Sequence, residues 1–272
     1  MRGVRLTDCR VVVTGASAGI GRETARLLAA KGAVVYAAAR SAGPLEELAA
    51  STPGVVPVVA DVSSDEDRAA LVAAASADGP IDVLVNNAGI GWTGLVEEMP
   101  ADQVRALFEV NVLGLIDLTQ RVLPAMLARR RGHVVNVASI AGYVSMPPLT
   151  VYSATKFAVQ GFSDGLRREV VGRGVAVTCV NPGPVRTLFG ARAMLPDATS
   201  LTSGLTDRPM AGVPAWAVAR AVMRAVRYGG VPGYGVVTVP RVFGLGRLGA
   251  VPGLALTVDA ASLLSRERFR RS

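Results

Sequence analysis

Ser139, Tyr152 and Lys156 are the residues of this sequence whose types and spacing suit acid–base chemistry. In the stretch SIAGYVSMPPLTVYSATK the tyrosine and lysine stand four positions apart. On a helix that spacing sets both side chains on one face, about one turn from each other. A free phenol titrates near ~10, and ionising it near neutrality requires ~3 units, or about 4 kcal/mol, of phenolate stabilisation. An ammonium held beside it in a partly dry cleft supplies much of that. Ser139, at the end of an apolar run, is a neutral hydroxyl donor that can return to the same point. Together the three suit proton transfer to or from a carbonyl or carbinol oxygen. Tyr and Lys at this spacing also occur as ordinary surface neighbours, but lysine is scarce here. Only Lys31 and Lys156 occur, against 27 arginines, whose bulkier fork has a different donor geometry.

The elements that must position these residues alternate along the chain. Arg10 to Thr14 (RVVVT) is a nearly all-apolar run, as expected of a strand buried on both faces. TGASAGIG follows, with Gly15, Gly19 and Gly21 letting the chain turn tightly and bring backbone N–H groups to a pyrophosphate. The helix after it offers its positive end to the same anion. A second strand, Val34 to Ala39, ends at Arg40 rather than at an acidic residue, which would hold a ribose 2′-hydroxyl. An arginine there suits a 2′-phosphate, with charge-assisted bonds worth roughly 1.5 to 3 kcal/mol each, about 10-fold to 100-fold in affinity. NADP(H) is therefore the expected cofactor, with NAD(H) the alternative.

Further strands are expected at Val55 to Ala60, Ile81 to Val85, His133 to Ala138 and Val175 to Val180, and an edge strand at Tyr234 to Val239. Helices are expected at Asp65 to Ala77, at Asp102 to Arg130 with a break or bend near Pro124, from Tyr152 to about Arg173, and at Pro214 to Tyr228. The alternation predicts an α/β fold, a doubly wound parallel sheet with helices on both faces and ligands at the carboxyl ends of the strands. Asp61 and Val62 follow the third strand, where a carboxylate can accept from an adenine amino group. Asn86-Asn87-Ala88-Gly89 follows the fourth and suits a loop near a cofactor, with Asn86 equally suited to bracing the sheet. Asn111, inside the apolar stripe FEVNVLGLIDL, must be satisfied if buried. It either bridges through water to the active-site lysine or caps a distorted turn.

Length and composition set bounds. The 272 residues, 50% apolar, fit one domain, and no linker or repeat divides them. Cys9 and Cys179 lie beside apolar runs, where unpaired thiols behave as small hydrophobes, so no disulfide is expected and a cytoplasmic setting fits. His133 is the only histidine, so no metal site and no His-based triad is expected. No signal peptide is expected before the first strand, and, with no run of eighteen uninterrupted apolar residues, no transmembrane helix is expected. The formal charge of +8 comes from arginine and accompanies no groove-reading motif, so no nucleic-acid partner is expected.

Five pieces agree in order and spacing: TGASAGIG, NNAG, Asn111, Ser139 with YSATK, and NPGPVRT. Together they resemble the short-chain dehydrogenase/reductase family over about residues 8 to 187. The resemblance implies a Rossmann-like fold of about seven parallel strands and hydride exchange between nicotinamide and a carbonyl or hydroxyl carbon. It implies that Tyr152 is the proton donor or acceptor, that Ser139 polarises the substrate oxygen, and that Lys156 holds the nicotinamide ribose and lowers the tyrosine pKa. Asn111 would support a water in the proton relay. Gly15, Ser17, Ile20 and Gly21 would line the phosphates, Asp61 and Val62 the adenine, and Asn87 the adenosine-side ribose. Pro182, Gly183, Val185 and Thr187 would line the nicotinamide face. Ala18 departs from the basic residue that many NADP-using members carry in the glycine loop, which leaves Arg40 to discriminate. The family associates as dimers or tetramers, so a homodimer or homotetramer is implied.

Residues 188–213 are the segment expected to close over the substrate. Trp92, Val144, Met146, Leu149, Phe189 and Met194 are candidate walls of an apolar cavity for a lipophilic ketone or alcohol of steroid, retinoid or fatty-chain type, or else plain core. The tail from Arg241 alternates apolar patches with Gly, Pro and Arg. A subunit contact or a cover over the pocket is expected of it, in preference to a membrane-surface segment.

Overall fold

The protein is described by a computed structural model covering residues 4–186, 212–228 and 236–239. Seven strands form one sheet: β1 (Arg10–Thr14), β2 (Val34–Ala39), β3 (Val55–Val59), β4 (Val83–Asn86), β5 (Gly132–Val137), β6 (Val175–Pro182) and β9 (Val236–Val239). Their order is β3-β2-β1-β4-β5-β6-β9, and every pairing is parallel. A two-residue pair, β7 (Val185–Arg186) with β8 (Val213–Pro214), brings the chain at Gly212 back beside the end of β6. The expected doubly wound α/β architecture is present.

The strand sequences explain why the sheet is covered on both faces. Val11 and Val13 of β1, Val83 and Val85 of β4, and Val135 and Val137 of β5 pack into one apolar layer. Their alternates, Val12, Leu84 and Val134, pack into the other. Successive residues of a strand point to opposite faces, so an unbroken apolar run requires helices on both sides. One layer is α1 (Gly19–Ala29), α2 (Ala42–Ser51) and α7 (Ala215–Tyr228); the other is α3 (Asp65–Ser76), α5 (Gly114–Ala128) and α6 (Thr150–Glu169). α1 buries Gly21, Thr24, Ala25, Leu28 and Ala29, a stripe at helical spacing, and packs on α7 through Val218, Ala219, Val222, Ala225 and Val226. Pro57 sits within β3, and β3 lies at the sheet edge, where a missing N–H is tolerated.

The helix expected from Asp102 to Arg130 is three pieces. α4 (Ala101–Phe108) passes into a π turn (Glu109–Leu113) and then α5. The distortion lies at Asn111, not near Pro124, and α5 runs through Pro124 without a break. The reason is hydrogen bonding. The Asn111 amide holds the backbone of Ile90, and the extra residue of the π turn turns the side chain towards it. The span Ala101–Ala128 is by length and composition apolar enough to cross a bilayer. Here its apolar side packs against the sheet and α6. Other boundaries shift by a few residues; α6 ends at Glu169 rather than about Arg173.

Candidate active site

The strand order reverses between β1 and β4, and their carboxyl ends open a crevice there. Thr14, the last residue of β1, holds both lips. Its Oγ1 accepts from the N–H of Asn87 and of Ala88, each at 3.0 Å, and Asn87 Nδ2 donates to the Thr14 and Gly15 carbonyls at 2.9 and 3.2 Å. Thr14 is a residue that the sequence reading missed, and the polar side chain ending an apolar strand was its one signal. The loop requires glycine at two places. Gly15 has φ +66°, and a Cβ there would come within 2.8 Å of Ala88 Cα; a Cβ on Gly21 would strike the Gly15 carbonyl. The two glycines thus let the loop after β1, the start of α1 and the Asn87–Ala88 backbone approach one another closely. The first turn of α1 has no side-chain cap, leaving its N–H groups to an anion. Ser17 and Ile20 lie half-buried along it.

At the end of β2, Arg40 is exposed, with Nη1 3.9 Å from Asp61 Oδ2. Burial pushes the Asp61 carboxyl up, but the Ser63 hydroxyl and N–H that it accepts, with Arg40 beyond them, hold it below the ordinary carboxylate value. Val62 is buried, and its carbonyl lies so close to Gly114 that a side chain there would strike it. The loop after β3 is therefore packed directly on Gly114, the residue that follows the π turn carrying Asn111.

The three acid–base candidates converge at the ends of β5 and α6. Ser139 caps a short 3-10 turn (Ile140–Gly142), accepting from Ala141 N at 3.1 Å, and its hydroxyl meets the Tyr152 phenol. Lys156, one turn along α6, sets Nζ 5.6 Å from the Tyr152 ring centroid and donates to the Val137 carbonyl at 3.3 Å. Burial pushes the phenol up to about 12 while the Ser139 hydrogen bond pulls it down. Burial lowers the ammonium to about 8, and the Cys179 thiol beneath it acts the other way. The protein alone therefore holds Tyr152 protonated, opposite in sign to the expected depression. Spacing predicted the partner; depth of burial decided the shift.

Asn111 is buried, with Oδ1 accepting from Ile90 N at 2.8 Å and Nδ2 donating to Ile90 O at 2.9 Å and Thr155 Oγ1 at 3.1 Å. Gly89 lies between the Asn111 amide and Lys156, where a Cβ would sit 3.1 Å from one and 3.6 Å from the other. Asn86 braces the sheet, donating to Asn136 Oδ1 at 2.9 Å and Thr119 Oγ1 at 3.2 Å. Pro182 and Gly183 are buried at the end of β6, with Val185 half-buried after them. Asn181 beside them donates to Tyr143 Oη at 2.7 Å and Gln160 Oε1 at 3.0 Å.

Among the candidate walls, Val144 is half-buried and Met146 is 41% exposed. Trp92 is 3% exposed, its ring filling the space beside Gly94, so it supports the loop from within. Gly94 N in turn donates to Pro148 O at 3.0 Å, joining that loop to the 143–149 segment. Thr187, Phe189, Met194, most of the 188–213 segment and the tail from Arg241 lie outside the described residues. Cys9 and Cys179 are free and buried. His133 is wholly buried, its Nε2 2.9 Å from Thr178 Oγ1, and burial pushes it down to about 4. It is a neutral core residue.

A family model of short chain dehydrogenases matches residues 10–194. The chain belongs to the short-chain dehydrogenase family. The dehydrogenase/reductase SDR family member 7B of Mus musculus is 37% identical to this dehydrogenase over 231 residues, 81% of this chain and 71% of the relative. A Burkholderia phymatum short chain dehydrogenase/reductase, solved in complex with NAD, matches with a TM-score of 0.79 at 28% identity, over 90% of this chain and 94% of that one. A Sphingobium yanoikuyae short-chain dehydrogenase, solved in complex with NADPH, matches with a TM-score of 0.75 at 27% identity, over 92% and 94%. The chain thus belongs to an oxidoreductase family, and of these two solved relatives one holds NAD and the other NADPH.

Proposed function

We propose that this dehydrogenase interconverts a ketone or aldehyde with an alcohol, using NADP(H), on a lipophilic substrate. The observation that carries the reading is the Tyr152 phenol, kept protonated by burial, in hydrogen-bond contact with Ser139 and one helical turn from Lys156. A protonated phenol can give its proton to a carbonyl oxygen, and its phenolate can take one from a carbinol, so the residue serves either direction and NADP(H) use is what favours reduction. Ser139 donates a hydrogen bond to the same oxygen. The Lys156 charge supports the phenolate that remains, and its ammonium suits ribose hydroxyls. The glycine loop, Asp61, Val62, Asn87 and the Pro182–Val185 turn would hold the cofactor, which would supply or take the hydride.

Arg40 supports NADP(H): it is exposed at the end of β2, and its ion pair with Asp61 is long enough to release for a 2′-phosphate. Val144 and Met146 support an apolar substrate. A small-molecule substrate, a cytoplasmic setting and a homodimer or homotetramer complete the proposal.

The test is NADPH and NADH binding by fluorescence, then nicotinamide absorbance against ketones graded from small polar ones to steroids and retinoids. Tyr152→Phe is expected to bind NADPH normally while turnover falls by several orders of magnitude. Unchanged turnover would remove Tyr152 from the chemistry, and tight binding with no turnover on any substrate would favour a cofactor-binding regulator.

A further inference from the structure

At the amino ends of β1, β4 and β5, the end of the sheet opposite the crevice, lies a depression of about 670 Å³ lined by Arg5, Thr7, Asp8, Arg10, Pro80, Asp82, Arg129 and Arg131. Four guanidiniums face two carboxylates there. Asp82 is buried and already committed: Oδ2 accepts from Arg10 N at 3.1 Å, and Oδ1 pairs with Arg129 Nη1 at 3.2 Å and Arg131 Nε at 3.4 Å. Arg129 is also spent on the Ile81 and Ala125 carbonyls, as a basic side chain closing the carboxyl end of α5. Arg5 and the Arg10 side chain are different. Neither has an ion pair among the described residues, and Arg10 Nε is buried with no hydrogen-bond partner. A buried guanidinium donor without an acceptor is costly and calls for one. Gly79, at φ +141°, makes room for that guanidinium, since a Cβ there would stand 2.5 Å from Arg10 Nη1.

We propose that this depression binds a phosphoryl dianion, a phosphomonoester or diphosphate group, at a site separate from the cofactor crevice. The excess of two positive charges matches a dianion. Guanidinium forks pair with phosphate oxygens two at a time, and Thr7 adds a neutral hydroxyl. β1, five residues and so about 17 Å long, separates it from the glycine loop. The phosphoryl group belongs either to a free metabolite or to a lipid headgroup at a surface.

The test compares the wild-type chain with Arg5→Ala/Arg131→Ala, both exposed positions, with circular dichroism to check that the variant keeps the wild-type fold. Inorganic pyrophosphate and phenyl phosphate are titrated calorimetrically; the glycine loop is unaltered in both proteins, so binding there is common to both. Vesicles of phosphatidylcholine with and without phosphatidic acid are sedimented in parallel. The expected result is an affinity at least about tenfold weaker in the variant. Loss confined to the soluble anions identifies a free phosphate ligand, and loss of binding to phosphatidic-acid vesicles identifies a headgroup. Equal binding by both proteins, or no wild-type binding to any probe in the millimolar range, overturns the proposal.

Discussion

Asn111 donates from Nδ2 to Thr155 Oγ1 at 3.1 Å, and Thr155 in turn donates to the Tyr152 carbonyl at 2.7 Å. The π turn that carries Asn111 is thereby tied to the backbone of Tyr152, the proposed acid–base residue, and through Ile90 to the loop after β4.

Asn111→Ala strands the Ile90 N–H and carbonyl in a partly dry site, at roughly 1 to 3 kcal/mol for each group left unsatisfied. A fall in unfolding free energy of that size is expected, together with a fall in kcat. Thr155→Val separates the two effects. It removes two neutral hydrogen bonds, those to Asn111 Nδ2 and to the Tyr152 carbonyl, about 2 kcal/mol together, and leaves Asn111 its two bonds to Ile90. If the link positions Tyr152, kcat drops while cofactor affinity holds. Normal kcat in a chain destabilised by denaturant titration would make the link purely structural.

Gly21→Ala sets a methyl against the Gly15 carbonyl and, at 2.5 Å, Asn87 Nδ2. The two lips of the crevice must part to admit it. Cofactor binding by fluorescence is expected to fall at least about tenfold, since the backbone N–H groups that suit a pyrophosphate are displaced. Binding indistinguishable from wild type would show that the loop yields without cost.

The sheet was legible because Val11 to Val13 and Val83 to Val85 are unbroken apolar runs and β5 is apolar but for Asn136, a pattern that suits a doubly covered parallel sheet. Tyr152 and Lys156 were legible because four residues of helix fix their proximity. The π turn was not. FEVNVLGLIDL has a helical pattern, and the partners that distort it, Ile90 and Thr155, are 21 and 44 residues away. Pro124 drew the expected bend because proline lacks an N–H, yet α5 absorbs it on an exposed turn. The direction of the Tyr152 shift was hidden too, since it depends on burial and not on spacing. Trp92 looked like a pocket wall on size and polarity alone, and only its contact with Gly94 shows it packed inside its own loop.

Arg40→Ala is expected to weaken NADPH binding about 10-fold to 100-fold, the loss of charge-assisted bonds to one phosphate, while NADH binding is spared. The melting temperature should not move, because Arg40 is exposed and its one ion pair is 3.9 Å long. Equal loss of both cofactors would contradict the assigned role.

His133 gives the acid limb of stability a specific origin. Its pKa falls from 6.5 to about 4 on folding because burial disfavours the imidazolium. Between those values the unfolded chain binds a proton that the native chain does not, so stability rises with pH there and is lost as pH falls from about 6.5 towards 4. The shift corresponds to roughly 3 kcal/mol at most. His133→Gln retains a polar partner for Thr178 Oγ1 and removes the titration. Urea denaturation at pH steps across this window should show a smaller loss in the variant than in the wild type, even if the variant is the less stable of the two at neutral pH. Parallel losses would place the acid sensitivity in the carboxylates, with Asp117 first among them: its burial raises the carboxyl, but the Arg121 and Arg68 hydrogen bonds outweigh that and hold it below the ordinary value.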